Sequence, residues 1–331
     1  MKSKESIEQA WRALIQDILN DGDAVQGVTD STSVGSHFGA ARRPYRELLC
    51  TVIKIEKPRR RILLSPSRKF RLGAAIAHAI WAFSGSNSLD PVTFYIRRGR
   101  AFSDDGLRFN AAIGHRIFCS AGNQFQAAVE RLRTDRTSRR AVIDVFQNDG
   151  TTKSRDISCT LSIQFLVRST KLHAIVTMRS QSVLMVCPYD LFFISMVLDV
   201  MAVELGLHVG SILHVCNSAH IYDDEIELAK KVTKEHLTPA AAMDAAPADF
   251  FSQLPRVLEI ETCLRDRLQQ GRDYQDVISG AGDYWKPLLQ VMAAEYRMSQ
   301  GDDVPKAILN TLPEDFQKSL ELTRKAEPVA G

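Results

Sequence analysis

A chain of 331 residues, 45% hydrophobic and 24% charged, has ordinary globular usage, which excludes a disordered or fibrous protein. At about 150 residues per domain, this length suits one large domain or two ordinary ones. Lys+Arg 42 against Asp+Glu 39 leave a formal +3, too near neutral for a dedicated nucleic-acid coat or a polybasic membrane binder.

The opening MKSKESIEQAW carries charges where a secretory signal has its apolar core, so no signal is expected. Apolar positions at Ile7, Ala10, Trp11, Leu14, Ile15, Ile18 and Leu19 share one helical face and predict a helix over 6–20, stopped by Gly22. Gly27 to Gly39, rich in Ser, Thr, Gly and Asp, reads as a loop, and Leu48 to Ile55 as a strand. Lys57 to Arg71 gathers seven basic side chains around a short apolar stretch. Without the aromatic interleaving that stacks bases, this run reads as a solvated strand-loop edge and not as a nucleic-acid groove. Helices are predicted over 74–83 and 124–132, a strand over 141–146, and a strand pair over 159–167 and 172–177. Pro188 suits the first turn of a helix running to Gly206. Asp199 and Glu204 interrupt its apolar stretch, so it reads as a buried helix and not a membrane span.

A strand over 212–215 and a helix over 223–236 follow, then the Ala/Pro-rich TPAAAMDAAPAD at 238–249, which reads as a linker to helices over 250–270, 284–299 and 304–324. The expected organisation is α+β over 1–237 with a helical C-terminal extension over 238–331. Cys50, Cys119, Cys159, Cys187, Cys216 and Cys263 form no C-x-x-C pair. Their scatter predicts free thiols in a reducing cytoplasm, with neither a disulfide scaffold nor a metal site.

One constellation rises above this background: S-R-R at 138–140, S-C-T-L-S-I-Q-F-L-V at 158–167, R-S at 179–180, P-Y-D at 188–190 and H-I-Y at 220–222. Read from residue type alone, a strand cysteine is usually inert, the arginines of T-D-R-T-S-R-R face water, and H-x-Y places one residue in the core and one outside. In order and spacing, however, Arg139, Arg140, Cys159, Gln164, Arg179, Ser180, Asp190, His220 and Tyr222 resemble the thymidylate synthase family, which includes the deoxycytidylate and cytidylate hydroxymethylases. The resemblance runs from about Thr134 to Tyr222, is weaker over 29–118 and fades in the helical tail.

It implies a mixed sheet packed with helices and a homodimer formed through the sheet, with pyrimidine nucleoside monophosphate bound in shared active sites. Cys159 takes the place of the nucleophile that adds to pyrimidine C6 and makes C5 a carbanion. Arg179 and Ser180 match phosphate ligands from the same chain, and Arg139 and Arg140 a pair reaching into the partner's site. His220 and Tyr222 match residues holding the sugar 3′-hydroxyl, and Gln164 one that orients the nucleotide. The one-carbon donor implied is 5,10-methylenetetrahydrofolate. Asp190 stands where thymidylate synthases carry asparagine and deoxycytidylate hydroxymethylases aspartate. A carboxylate accepts from the cytosine N4 amino group, though an acid in a first helical turn is also favoured by the helix dipole.

Other positions depart from the family pattern. The catalytic glutamate falls on His78, either a general acid–base or a satisfied core histidine on an apolar helix. The pterin-contacting aspartate falls on Ser182, a turn glycine on Val186, a tyrosine on Ile113 beside Gly114, and an N-terminal phosphate arginine on Thr29, with Arg42 and Arg43 nearby. The closing apolar C-terminus has no counterpart in A-E-P-V-A-G. The leading expectation is hydroxymethylation of dCMP, or CMP, through a Cys159–C6 adduct. The alternatives are dUMP methylation and a non-catalytic nucleotide-binding or protein-interaction dimer.

Overall fold

The computed structural model describes residues 1–26, 43–147, 154, 156–236 and 238–324. The loop expected over 27–39, Thr29, Arg42 and the A-E-P-V-A-G end lie outside these residues. Helix α1, Ile7–Asp21, is closed at its start by a capping box: Gln9 N–H donates to Ser6 Oγ, and Ser6 N–H to Gln9 Oε1. Its predicted apolar face is buried, and Trp11 Nε1 donates to Val183 O at 2.8 Å.

The described residues form an eight-stranded mixed sheet, which establishes the expected α+β class. Strands β1 (Lys2–Lys4), β3 (Tyr45–Ile55), β8 (His208–Tyr222), β6 (Lys171–Met178), β5 (Thr160–Arg168) and β4 (Val142–Asp144) lie in that spatial order. Strand β2 (Asp23–Val25) pairs with β3, and β7 (Gln181–Ser182) with β8. Ile163, Phe165, Leu172, Ala174, Val176, Met178, Ile212 and Ile53 face inward and are buried, while Ile175, Leu213 and Val215 on the other face are half-buried. The strand expected over 212–215 is far longer. Its alternation slips at Asn217–Ser218, and the polar residues beyond disguise its continuation.

That slip belongs to a line of irregularities. Thr160, Met178, Cys216 and Thr51 are cross-strand partners on β5, β6, β8 and β3. At this level the β5–β6 register shifts between Thr160 and Ser162, β6 ends, and the β3–β8 pairing skips Cys50 and Asn217. Cys50 takes a φ of 53° there. Such bulges re-aim side chains that strict alternation would hide.

The basic run is not the solvated edge expected of it. Arg61 is fully buried and donates to Asp199 Oδ2 at 2.9 Å, and Arg59 reaches Asp199 Oδ1 at 3.1 Å. Arg60 is bound to Glu5 and to the Pro239 and Ala240 carbonyls, and Arg68 to those of Leu184 and Met185. Asp199, the charge interrupting the apolar stretch, is thus the counter-ion of this run on α6, Cys187–Glu204. No helix among the described residues is long and apolar enough to cross a membrane. All six cysteines are unpaired.

Helix α2, Leu72–Phe83, is buried nearly throughout. Between α2 and α6 the described chain adds α3 (Leu89–Tyr95), α4 (Ile113–Phe118) and α5 (Gln124–Thr134). A Cβ on Gly114 would lie 1.9 Å from Ala82 O, so only glycine lets α4 approach the end of α2 so closely. After α7 (Ile226–Lys234), the 238–249 segment has no regular structure but is packed: Met243 N–H donates to Arg59 O at 2.9 Å, and Ala240, Met243 and Ala246 are buried. Then come α8 (Phe250–Gln269), α9 (Gln275–Ser279), α10 (Trp285–Ser299), α11 (Lys306–Leu309) and α12 (Glu314–Arg324).

These C-terminal helices share the hydrophobic core, with the Phe83 and Phe250 rings 4.8 Å apart. Glu295 of α10 caps α2 from outside. Its carboxylate accepts from Gly73 N at 2.8 Å and Ala74 N at 3.2 Å, and pairs with Arg71 Nε at 3.0 Å. Two orphan amides of the α2 terminus thereby gain a buried anionic acceptor. Glu295→Ala is expected to lower unfolding free energy by about 3 kcal/mol in urea denaturation, with Glu295→Gln less damaging because an acceptor remains.

Candidate active site

Just past the line of bulges, Arg179 N–H donates to Cys159 O at 2.8 Å, while its guanidinium holds the carbonyls of Ser158 (Nε, 2.9 Å) and Ile157 (Nη2, 3.0 Å). The arginine therefore fixes the turn that leads into the cysteine. Cys159 is exposed to solvent. Its surroundings push the thiol pKa up, chiefly through desolvation; the positive charge of Arg179 counters this, and Asp190 and Asp156 add to it. The isolated chain thus holds a thiol and not a thiolate, beside a cation that would favour ionisation more strongly once water is displaced.

Ser180 Oγ lies 3.5 Å from His220 Nδ1. The His220 ring stands edge-on to Tyr222 at 5.1 Å and to Tyr45 at 5.5 Å. Burial lowers the His220 pKa, and nearby Arg43 and Arg179 lower it further. Arg43 packs its guanidinium 3.8 Å from the Tyr222 ring centre while paired with Asp224 at 2.6 Å. The shared electrostatic environment of Cys159, Arg179, Asp190, His220 and Tyr222 brings these five expected residues together, with Ser180 on His220.

Asp190 sits in the first turn of α6, where Gln181 Nε2 donates to its Oδ2 at 2.9 Å. Desolvation raises the Asp190 pKa to about 6 against this hydrogen bond. One turn further along α6, Phe193 lies 5.7 Å, ring centre to ring centre, from His78 of α2. His78 is half-buried, its Nδ1 has no partner among the described residues, and desolvation lowers its pKa to about 4. It is neutral near pH 7, so it brings no negative charge to that place.

Gln164 and the Arg139–Arg140 pair stand apart. Gln164 is five residues along β5, roughly 16 Å from Cys159 at strand rise, and its Nε2 donates to Arg139 O at 2.8 Å. Both arginines are exposed on the rim of a hollow of ≈ 700 Å³, with Arg131, Thr134 and Ser138 among its walls. Within one chain they do not face the thiol. Ser182 is half-buried beside His220 in the β7–β8 pairing, and Val186 is exposed. Among the described residues, no three His, Cys, Asp or Glu side chains are placed to hold a metal.

Sequence reasoning missed Gln181, Tyr45 and Asp156. Only the adjacency of Gln181 to Arg179-Ser180 could have signalled it, whereas Tyr45 and Asp156 approach through strand pairing and a loop.

A family profile described as Thymidylate synthase matches residues 63–261. The Deoxyuridylate hydroxymethyltransferase of Bacillus phage SP01 is 26% identical over 205 residues, 57% of this chain and 53% of that protein. The Deoxyuridylate hydroxymethyltransferase of Delftia phage PhiW-14 is 27% identical over 187 residues, 51% of this chain and 50% of that protein. The Putative thymidylate synthase of Methanothermobacter marburgensis is 26% identical over 241 residues, 70% of this chain and 97% of that protein. The chain therefore spans about half the length of the two phage relatives and nearly all of the third.

Site-resolved alkylation gives a direct check on the Cys159 environment. Its rate should lie below that of an ordinary thiol at pH 7.5 and keep rising above pH 9, because the pKa is raised. Asp190→Asn should accelerate it and Arg179→Gln slow it, by roughly tenfold per unit of pKa.

Proposed function

The chain belongs to the thymidylate synthase family, and on that premise we propose that it transfers a one-carbon unit to C5 of a pyrimidine nucleoside 5′-monophosphate, with a cytosine nucleotide, dCMP before CMP, as substrate and the 5-hydroxymethyl derivative as product. The observation that carries the reading is an exposed Cys159 thiol within the field of both Arg179 and Asp190. An anion-binding cation, a nucleophile and a base-reading acid then span one nucleotide.

In this reading Arg179 and Ser180 bind the phosphate, joined by Arg139 and Arg140 of a second copy. His220 and Tyr222 hold the sugar hydroxyl. Cys159 loses its proton to solvent water, favoured by the Arg179 charge, and the thiolate adds to C6, moving the electron pair of the C5–C6 bond onto C5. Asp190 accepts from the N4 amino group. When bound, 5,10-methylenetetrahydrofolate supplies the one-carbon unit. Its pterin is uncharged, so the half-buried Ser182 hydroxyl and the neutral His78 edge fit it without a countercharge. His78, neutral near pH 7, orients water as donor or acceptor, which suits a product made by addition of water. The half-buried second face of the sheet, with Val52 and Val142 exposed upon it, supports a homodimer that covers it and brings Arg139, Arg140 and Gln164 to the partner's site.

The names of the two phage relatives favour uracil as the base, and Asp190 favours cytosine. Incubation with 5,10-methylenetetrahydrofolate and C5-tritiated dCMP, CMP or dUMP decides between them. Tritium release and a hydroxymethyl product are expected from dCMP, falling by roughly 10³-fold or more in Cys159→Ala. Asp190→Asn should shift preference toward dUMP. Release from dUMP alone would assign uracil, and nucleotide binding with no release from any substrate would leave a binding protein.

A further inference from the structure

We propose that Gln181 is a positioning residue for base selection: by engaging one carboxylate oxygen of Asp190 it keeps that residue an acceptor, so that the pair, and not Asp190 alone, discriminates 4-amino from 4-oxo pyrimidines. This deepens the preceding section and rests on its placing the base at Asp190.

Gln181 follows directly on the two phosphate residues. Strand β7 pairs in parallel with β8, with Gln181 opposite Ala219 and Ser182 opposite His220. One short segment thus carries phosphate, base and sugar contacts in succession. The Gln181 side chain is 2% exposed; its Nε2 donates to Asp190 Oδ2 at 2.9 Å, and its Oε1 is buried with no partner among the described residues. An amide next to a carboxylate must turn its N–H₂ toward it, since two oxygens facing each other repel. That orientation leaves Oε1 unsatisfied, and the bond to Asp190 offsets this loss most fully when Asp190 is ionised.

Gln181 makes the interaction that lowers the Asp190 pKa against desolvation. The other groups near Asp190 do not take over this role. Cys159 on β5 and Cys187 on its own helix are thiols with raised pKa values. Arg68, before α2, is bound to the Leu184 and Met185 carbonyls and lies over the Tyr189 ring. His78, across Phe193, is neutral.

With Oδ2 engaged and the acid ionised, Oδ1 is left as an acceptor. With the ring held by C6 over the thiol, it accepts from the cytosine N4 amino group and repels uracil O4. A protonated acid discriminates less: its O–H and C=O pair with either the N3/N4 edge of cytosine or the O4/N3–H edge of uracil. Removing the Gln181 amide lets burial protonate Asp190 and abolishes the distinction.

The test uses the full chain with Gln181→Met, a near-isostere, and Gln181→Leu in case one variant fails to fold. Two readouts are taken: the dCMP/dUMP ratio of dissociation constants by calorimetry at pH 7.5, and the pH profile of Cys159 alkylation without nucleotide. Expected are a rise in the ratio of about tenfold, toward equal affinity, a faster alkylation profile displaced toward that of Asp190→Asn, and no further change when Gln181→Met is added to Asp190→Asn. An alkylation profile unchanged from wild type, or equal loss of affinity for both nucleotides, overturns the role of Gln181. A displaced profile in a protein whose unaltered form binds neither nucleotide overturns the nucleotide reading itself, and the selectivity claim with it.

Discussion

The site depends on a constraint that runs across the sheet and not along the chain. A regular sheet sends alternate side chains to opposite faces, so residues near one another in sequence are split between core and surface. At the level of Thr160, Met178, Cys216 and Thr51 this regularity is interrupted: the β5–β6 register shifts, β6 ends, and the β3–β8 pairing skips Cys50 and Asn217. Beyond the break Cys159, Arg179, His220 and Tyr222 approach one another, although their strands are far apart in sequence. A bulge on one strand alone would only misalign its neighbours. Because the breaks stand side by side, the sheet stays paired while its side chains are re-aimed.

Around this line, charge is buried in pairs that bind distant segments. Asp199 lies between Arg59 and Arg61, and Glu295 between Arg71 and the first amides of α2. Buried pairs add little net stability compared with apolar packing, but losing one partner leaves an uncompensated charge. They therefore specify which segment meets which. The Arg61 bond fixes the loop before α2 against α6, and both helices carry proposed site residues, His78 and Asp190.

Helices were the most legible part of the sequence. Ile7 to Ile18, the apolar run in α2 and Pro188 at the start of α6 all carry local signals, and their boundaries fall within a few residues of those observed. Strand β8 was legible only in its middle, because His, Asn and Ser beyond residue 215 read as surface when pairing on both sides makes them strand. The basic run misled for the reverse reason: charge counts as solvated until a buried acid is known to face it, and Asp199 lies 138 residues from Arg61. At the site, the constellation from Cys159 to Tyr222 was legible as spacing. Gln181 was not, because its meaning lies in a hydrogen bond to a helix that begins six residues later.

Glu295 also sets an order of assembly. The helix bearing His78 is made first, yet the anion that satisfies its first amides lies 222 residues after Gly73. During synthesis α2 must wait with those groups turned to water until Glu295 has been added. The nucleotide-facing half thus cannot reach its final form as a separable early intermediate: its rigidity arrives with α10.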